Sequence, residues 1–271
     1  MVLKMISREE LEEESSMLYW YPKIKDFLRT PKTVFLPVST EEHHRMVKSL
    51  GETPIPKDIR ERIYRKADKI GYPLFLRSDQ GSGKHQWRDT CYVQNRKSLI
   101  PHVASLIEWH ECAGIMGLWW DALVFREVLP LESKFTAFAG MPVSRERRVF
   151  VRDGVVECIH PYWVKESIDT YFPDTLPDDW EERLDYLNCM SCDENEQLSS
   201  MGKIFGEELP GYWSVDFAYD IYGYWWLIDA ARGELSWHPA ECQYCPEEQK
   251  PNYLPEGSIL VELLEFESEG I

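Results

Sequence analysis

Apolar and polar residues alternate most regularly in VDFAYDIYGYWWLIDAA, where Val215, Phe217, Tyr219 and Ile221 share one parity and Asp216, Ala218 and Asp220 the other. A period of two is that of a strand with one buried face. Two such runs, 215–221 and 224–230, flank Tyr222-Gly223 and predict a hairpin with a two-residue turn. In that register Ile221 faces Tyr224 and Asp216 faces Asp229. Tyr224, Trp226, Ile228 and Ala230 then join the core face, and Trp225, Leu227 and Asp229 the other. Directly opposed carboxylates destabilise a sheet. A divalent cation between them would turn repulsion into coordination. A solvent-facing strand pair that tolerates them is the alternative, and the pattern leaves both open.

Elsewhere the pattern predicts a strand over 32–38 and a helix over 54–71, opened by proline and closed by glycine. Residues 1–70 read as a small α/β lobe. A strand over 73–77 leads into the loop SDQGSGKHQW, and 98–114 has helical spacing. A strand over 121–130 follows, then a hairpin over 145–159 that turns at Asp153-Gly154. Residues 174–211 are acidic and irregular or short-helical, and 258–266 is a last strand. The class is α+β, without an internal repeat or a low-complexity linker.

Composition narrows the function. Apolar residues make up 44% of the 271 and aromatics 13%, with 11 tryptophans, enough for a large core. There is no run of about 18 apolar residues, and MVLKMISREELEEESS turns acidic where a secretory signal would be apolar. The expectation is a soluble cytoplasmic protein with no membrane partner. The net charge of −17, from 47 acidic and 30 basic residues, opposes nucleic acid as a partner. It leaves room for a local basic pocket. The acidic runs at 9–14, 174–182 and 262–269 read as solvated faces.

The loop after Arg77 offers Gly81 and Gly83 for close backbone approach to phosphate, with Arg77 and Lys84 as cations. It is not a Walker A loop, because His85 follows Lys84 and position 78 is not glycine. Taken alone it reads as an ordinary surface hairpin. Of the seven cysteines, Cys189 and Cys192 form one C-x-x-C pair and Cys242 and Cys245 another. Two such pairs suit a structural tetrahedral Zn²⁺ site that pins the segments entering and leaving the hairpin. Buried free thiols are the alternative. His43, His44 and His238 have no partner at ligand spacing and read as ordinary packed or surface histidines.

The order of four stretches, over roughly residues 71–241, resembles the ATP-grasp family. YPLFLRSDQGSGKHQW resembles its strand, phosphate-contacting basic residue and glycine loop, and LVFREVLPLESKF its adenine- and ribose-holding hinge. SRERRVFVRDGVV resembles the hairpin that carries an arginine to the phosphates, and VDFAYDIYGYWWLIDAARGE the metal-binding hairpin. The last two are most similar to a divergent branch that includes bacterial and phage proteins and a eukaryotic translation-factor assembly protein. The resemblance implies two lobes of antiparallel sheet with helices clasping a nucleotide, with 71–125 as a lid-like lobe and 126–271 as a large one.

It also implies roles. Arg77 and Lys84 touch ATP phosphates, beside Gly81 and Gly83. Arg126, Glu127 and Leu129 bind the nucleotide, with the backbone of 127–129 on the adenine edge and Glu132 on the ribose. Arg148 reaches the γ-phosphate or an acyl phosphate, with Glu146 on the same face, and is catalytic together with Lys84. Asp216 and Asp229 hold Mg²⁺. Ala231 stands where the family commonly has a metal-binding Asn, and Asp229 is shorter than the usual Glu; Glu234 is a substitute ligand to consider. Two functions follow. One is an ADP-forming ligase that activates a carboxylate as an acyl phosphate for attack by an amine or similar nucleophile, on small molecules or on a protein or peptide. The other is an ATP-binding assembly factor that docks a protein partner without turnover.

Overall fold

Four successive apolar residues, Ala122 to Phe125, carry the pattern of a strand buried on both faces. In the computed structural model, which describes residues 7–51, 54–114, 119–169 and 176–250, they lie in β4 (Ala122–Glu127), an inner strand of the first sheet. Its order is β1 (Thr33–Pro37), β4, β2 (Leu74–Ser78), β3 (Tyr92–Val93), all neighbours antiparallel. Leu123 and Phe125 enter a core closed by α3 (Thr40–Val47), α4 (Lys57–Ala67) and α5 (Leu99–Gly114). Val124, of the other parity, packs into a second core.

That second core lies under an antiparallel sheet of order β10 (Trp225–Arg232), β9 (Tyr212–Tyr219), β7 (Glu146–Arg152), β8 (Val155–Pro161). Two helices cover it, α2 (Met17–Ile24) and α8 (Cys192–Glu208), so that Trp20, Ile24, Leu198 and Phe205 share one cluster with Val149, Val215 and Phe217. The short helix α1 (Arg8–Ser15) precedes α2. A small hairpin, β5 (Ser133–Ala137) and β6 (Met141–Ser144), packs with α6 (Lys165–Asp169) and α7 (Trp180–Asn188) around Phe138 and Trp163. Asp79 ties the two large bodies together. Its buried carboxylate accepts from the Ser16 hydroxyl at the head of α2 and from the Asp121 and Ala122 amides at the start of β4.

The expected α+β fold with two antiparallel sheets is the one the chain adopts. The small N-terminal lobe is not a separate body. β1 is a strand of the first sheet, paired along its length with β4, while α2 caps the second sheet. The acidic stretch 174–211 holds the two helices α7 and α8, and the strand expected over 258–266 lies outside the described residues. Among the described residues no helix is long and apolar enough to cross a membrane.

The signature hairpin departs from its predicted register in two compensating ways. Its turn is one residue longer, so that Trp225 faces Tyr219 and Trp226 faces Ala218. Asp220 fixes this turn by accepting from the amides of Tyr222 and Tyr224 and from the Trp226 indole. A bulge at Ile228 then restores the register, and Asp229 faces Asp216 as expected. A bulge reverses parity along its strand, which places Trp225 and Leu227 in the core and turns Trp226 and Ile228 away from it. The second hairpin turns at Asp153-Gly154, both at positive φ of 47° and 80°, as a type I′ turn requires.

Helix α8 crosses this sheet on glycine. A Cβ on Gly206 would stand 2.7 Å from the Gly154 backbone nitrogen and 2.8 Å from its Cα, and backbone cannot yield as a side chain can. Gly206→Ala is therefore expected to cost about 1–3 kcal/mol by overpacking, even though alanine favours a helix by about 1 kcal/mol. Thermal unfolding should show a Tm lower by roughly 2–10 °C; a Tm equal to or above the wild type would contradict this packing.

Candidate functional site

One cross-strand row of the second sheet carries Asp229, Asp216, Arg148 and His160 in register from β10 to β8. The repulsion between its two carboxylates is answered by two guanidinium groups. Arg148 donates from Nε and Nη2 to the two Asp216 oxygens at 2.8 and 2.9 Å, the fork geometry that makes such pairs strong. Arg77 reaches across from β2 of the first sheet and meets Asp229 at 2.9 Å. Burial works against the Arg148 charge, but Asp216 outweighs it and holds the guanidinium pKa above its ordinary value. The row thus joins the two sheets electrostatically at the floor of a cleft.

Two more cations stand there. The Lys84 ammonium donates to the Tyr162 hydroxyl at 2.6 Å and lies over the Tyr162 and Trp163 rings. Burial works against its charge, but Tyr162, Glu146 and Asp216 together raise its pKa above the ordinary lysine value. Burial likewise pushes the Glu146 carboxyl up, with Lys84 and the Ser144 hydroxyl opposing. Arg126 is pushed down to about 10 by burial and by the neighbouring Arg77 charge. Its Nε donates to Thr33 and its Nη1 to the carbonyl of the bulge residue Ile228. Its Nη2 is buried with no hydrogen-bond partner. Such an orphaned cationic donor costs free energy unless an anion or water meets it.

The cleft above these charges encloses about 320 Å³, within the range of a small-molecule site. Residues 127–131, the segment after β4, run along one wall, and Phe75, Met141, Trp163 and Ile228 supply apolar surface. Arg77, Lys84, Arg126, Glu127, Leu129, Asp216 and Asp229 all line it, as does Glu146. An apolar slot under a backbone segment, with cations and two carboxylates at one end, suits a planar base followed by phosphates and a divalent ion.

Other expected residues are placed differently. Ser82 and Lys84 line the cleft, whereas Gly81 and Gly83 turn toward the Trp109 ring, which a Cβ on either would approach to 3.1 and 3.2 Å. Their glycine identity thus answers to packing, and Gly83 also has φ of 57°. Glu132 does not line the cleft; its carboxylate accepts from Arg145 at 2.7 Å and from Tyr186. Glu234 is held by Arg232, whose side chain leaves β10 on the face opposite to Asp229. It is not a substitute ligand, and Ala231 follows Asp229 on the same parity with no side-chain donor. Tyr162 and Trp163, which seat Lys84, carried no recognisable signal in the sequence.

The expected Cys₄ set is not assembled. Among the described residues, the group of ligand atoms lying within 4.8 Å of one another is Cys158, His160, His238 and Cys242. Cys242 belongs to it, Cys245 is buried nearby with its thiol toward backbone carbonyls, and Cys189 and Cys192 are exposed. The fold uses the carbonyl of Cys189, which accepts from both Arg145 and the fully buried Arg147. His238, read as an ordinary histidine, is the residue most enclosed by the cluster. A C-x-H on one strand parity and an H-x-x-x-C beyond β10 were the available signal.

Residues 67–248 match the model of a family described as an "ATP-grasp domain", the third family of its clade. No curated protein matches the chain in sequence. Among solved structures, Cdc123 from Schizosaccharomyces pombe superposes with a TM-score of 0.55 at 13% identity, over 84% of this chain and 87% of that one. D-alanine–D-alanine ligase from Bacillus anthracis, complexed with ATP, gives a TM-score of 0.46 at 13% identity over 82% of this chain and 56% of its own.

Proposed function

The chain belongs to the ATP-grasp family, and on that premise we propose that its cleft binds ATP with Mg²⁺ and transfers the γ-phosphoryl group to a carboxylate. A carboxylate oxygen attacks the γ-phosphorus, the bond to the ADP oxygen breaks, and ADP leaves. An amine or similar nucleophile then attacks the acyl carbon of the acyl phosphate and expels phosphate. The observation that carries this reading is the Asp229–Asp216–Arg148 row, facing Arg77, Lys84 and Arg126 at one end of an apolar slot.

Asp216 and Asp229 hold the metal, which when bound neutralises phosphate charge and orients the transferring group. Arg77 and the orphaned Nη2 of Arg126 bind phosphate oxygens. Lys84 and Arg148 stabilise the charge of the transferring phosphoryl group, a reaction whose catalysis is mostly positioning and electrostatics. Residues 127–129 take the adenine edge with their backbone. The acceptors are a carboxylate and a nucleophile, among which a protein or peptide fits the open cleft. We assign the activity to the cytoplasm; the seven cysteines, none in a disulfide, suit a reducing compartment.

Single-turnover ADP formation tests the reading, with enzyme in excess over ATP and with panels of carboxylates and amines. Lys84→Met is expected to lower the rate about 10²–10³-fold, as for removal of one transition-state donor. An unchanged rate would remove Lys84 from the mechanism. A second reading, nucleotide-dependent docking of a protein partner without turnover, is favoured by Ala231, which supplies no ligand beside Asp229. Mg²⁺-dependent ATP binding with no ADP formed for any acceptor would select it.

A further inference from the structure

We infer that Cys158, His160, His238 and Cys242 form a tetrahedral Zn²⁺ site, which clamps the segment following β10 onto the outer strand β8. Cys158 and His160 share a parity on β8 and project from the face that carries Arg148. His238 and Cys242 come from the segment that folds back over that face, where the His238 ring stacks on Phe150 at 3.9 Å between centroids. All four ligand atoms lie within 4.8 Å of one another, and Cys158 Sγ is 3.2 Å from His238 Nε2. Bonds of about 2.3 Å to sulfur and 2.0–2.1 Å to nitrogen would bring tetrahedral donors to within about 3.3–3.8 Å of each other. The group needs only a small contraction to reach that geometry.

Three features favour a metal over a chance cluster. His160 Nε2 is buried without a hydrogen-bond partner, an arrangement that a bound cation would resolve. The Tyr212 hydroxyl sits 3.4 Å from His238 Nδ1, the outer partner that orients a ligating imidazole and aims its other nitrogen at the metal. Two thiolates with two imidazoles form a closed, borderline-soft set that suits zinc in a structural site. The clamp also touches the cleft. The carbonyl of Trp237, next to His238, accepts from Arg148 Nη1 at 3.2 Å, and His160 is the β8 neighbour of Arg148. Zinc would therefore fix the wall behind the catalytic arginine without joining the reaction.

The test is metal analysis of untagged protein purified under reducing conditions without chelator. Close to one Zn²⁺ per chain is expected, retained in Cys189→Ser/Cys192→Ser and lost in Cys242→Ser. If Cys242→Ser does not fold, the wild type decides alone. Metal-stripped, reduced protein should take up Co²⁺ with the intense visible bands of tetrahedral cobalt and a thiolate charge-transfer band. Chelator should also lower its Tm. Reduced protein that holds no zinc and takes up no cobalt would overturn the proposal. So would zinc that survives Cys242→Ser but leaves with Cys189 and Cys192, or a Cys158–Cys242 disulfide in metal-free protein.

Discussion

Asp216→Asn is expected to abolish the Mg²⁺-dependent stabilisation by ATP and, separately, to unfold more easily than the wild type. At 100 times its dissociation constant a ligand stabilises the folded state by about 2.7 kcal/mol, or roughly 5–10 °C in Tm for a chain of this size. The asparagine cannot serve as an anionic metal ligand, so this gain should vanish. The second effect comes from the partner left behind. Arg148 and Asp216 are both largely buried, with side chains 17% and 8% exposed. Removing one member of such a pair strands the other charge at a cost of about 3–5 kcal/mol. A Tm lower by roughly 6–20 °C follows.

The double variant Arg148→Gln/Asp216→Asn separates the two effects. With neither charge present the desolvation penalty disappears, so most of the lost stability should return, while the response to Mg²⁺-ATP should not. The measurement is thermal unfolding of the three proteins with and without Mg²⁺-ATP. A single variant that keeps its full nucleotide shift would remove Asp216 from the metal site. A double variant as unstable as the single one would mean that the cost lies in packing and not in the stranded guanidinium.

Asp79→Ala should be as damaging without touching the cleft. The carboxylate is 1% exposed and accepts from the Ser16 hydroxyl at 2.6 Å and from two β4 amides at 2.9 Å. Alanine leaves three donors without their acceptor in a site closed to solvent, each worth about 1–3 kcal/mol. A loss of at least about 3 kcal/mol is expected, measured by denaturant unfolding, with Asp79→Asn recovering part of it. Because Asp79 does not line the cleft, the folded variant should still respond to Mg²⁺-ATP. A variant within about 1 kcal/mol of the wild type would contradict the role of this carboxylate as the tie between the bodies.

Asp79 also shows where sequence reasoning stops. It stands between Arg77 and Lys84 in a stretch whose charges read as phosphate contacts, yet its partners come from α2 and β4, far away in the chain. Local pattern reported what local geometry decides: the type I′ turn at Asp153-Gly154, the glycine-ended helix before β2, and the opposed aspartates with Arg148 beside them. Residues acting through non-local contacts were out of reach. Tyr162 and Trp163 seat Lys84 only once β8 lies beside the glycine loop. Cys189 and Cys192 have the spacing of zinc ligands, but two buried arginines take up the Cys189 carbonyl and leave both thiols in solvent. The four-residue cluster forms instead between segments 80 residues apart, which no spacing rule relates.

The bulge at Ile228 separates two jobs that a simple hairpin would have to do with one register. Outside it, Trp225 and Leu227 follow the turn and fill the core; inside it, Asp229 follows Asp216. A turn one residue shorter, with the bulge lost, would leave the two carboxylates opposed. Hairpin length is therefore buffered from the chemistry: insertions and deletions at the exposed tip can be absorbed before the strand reaches the site.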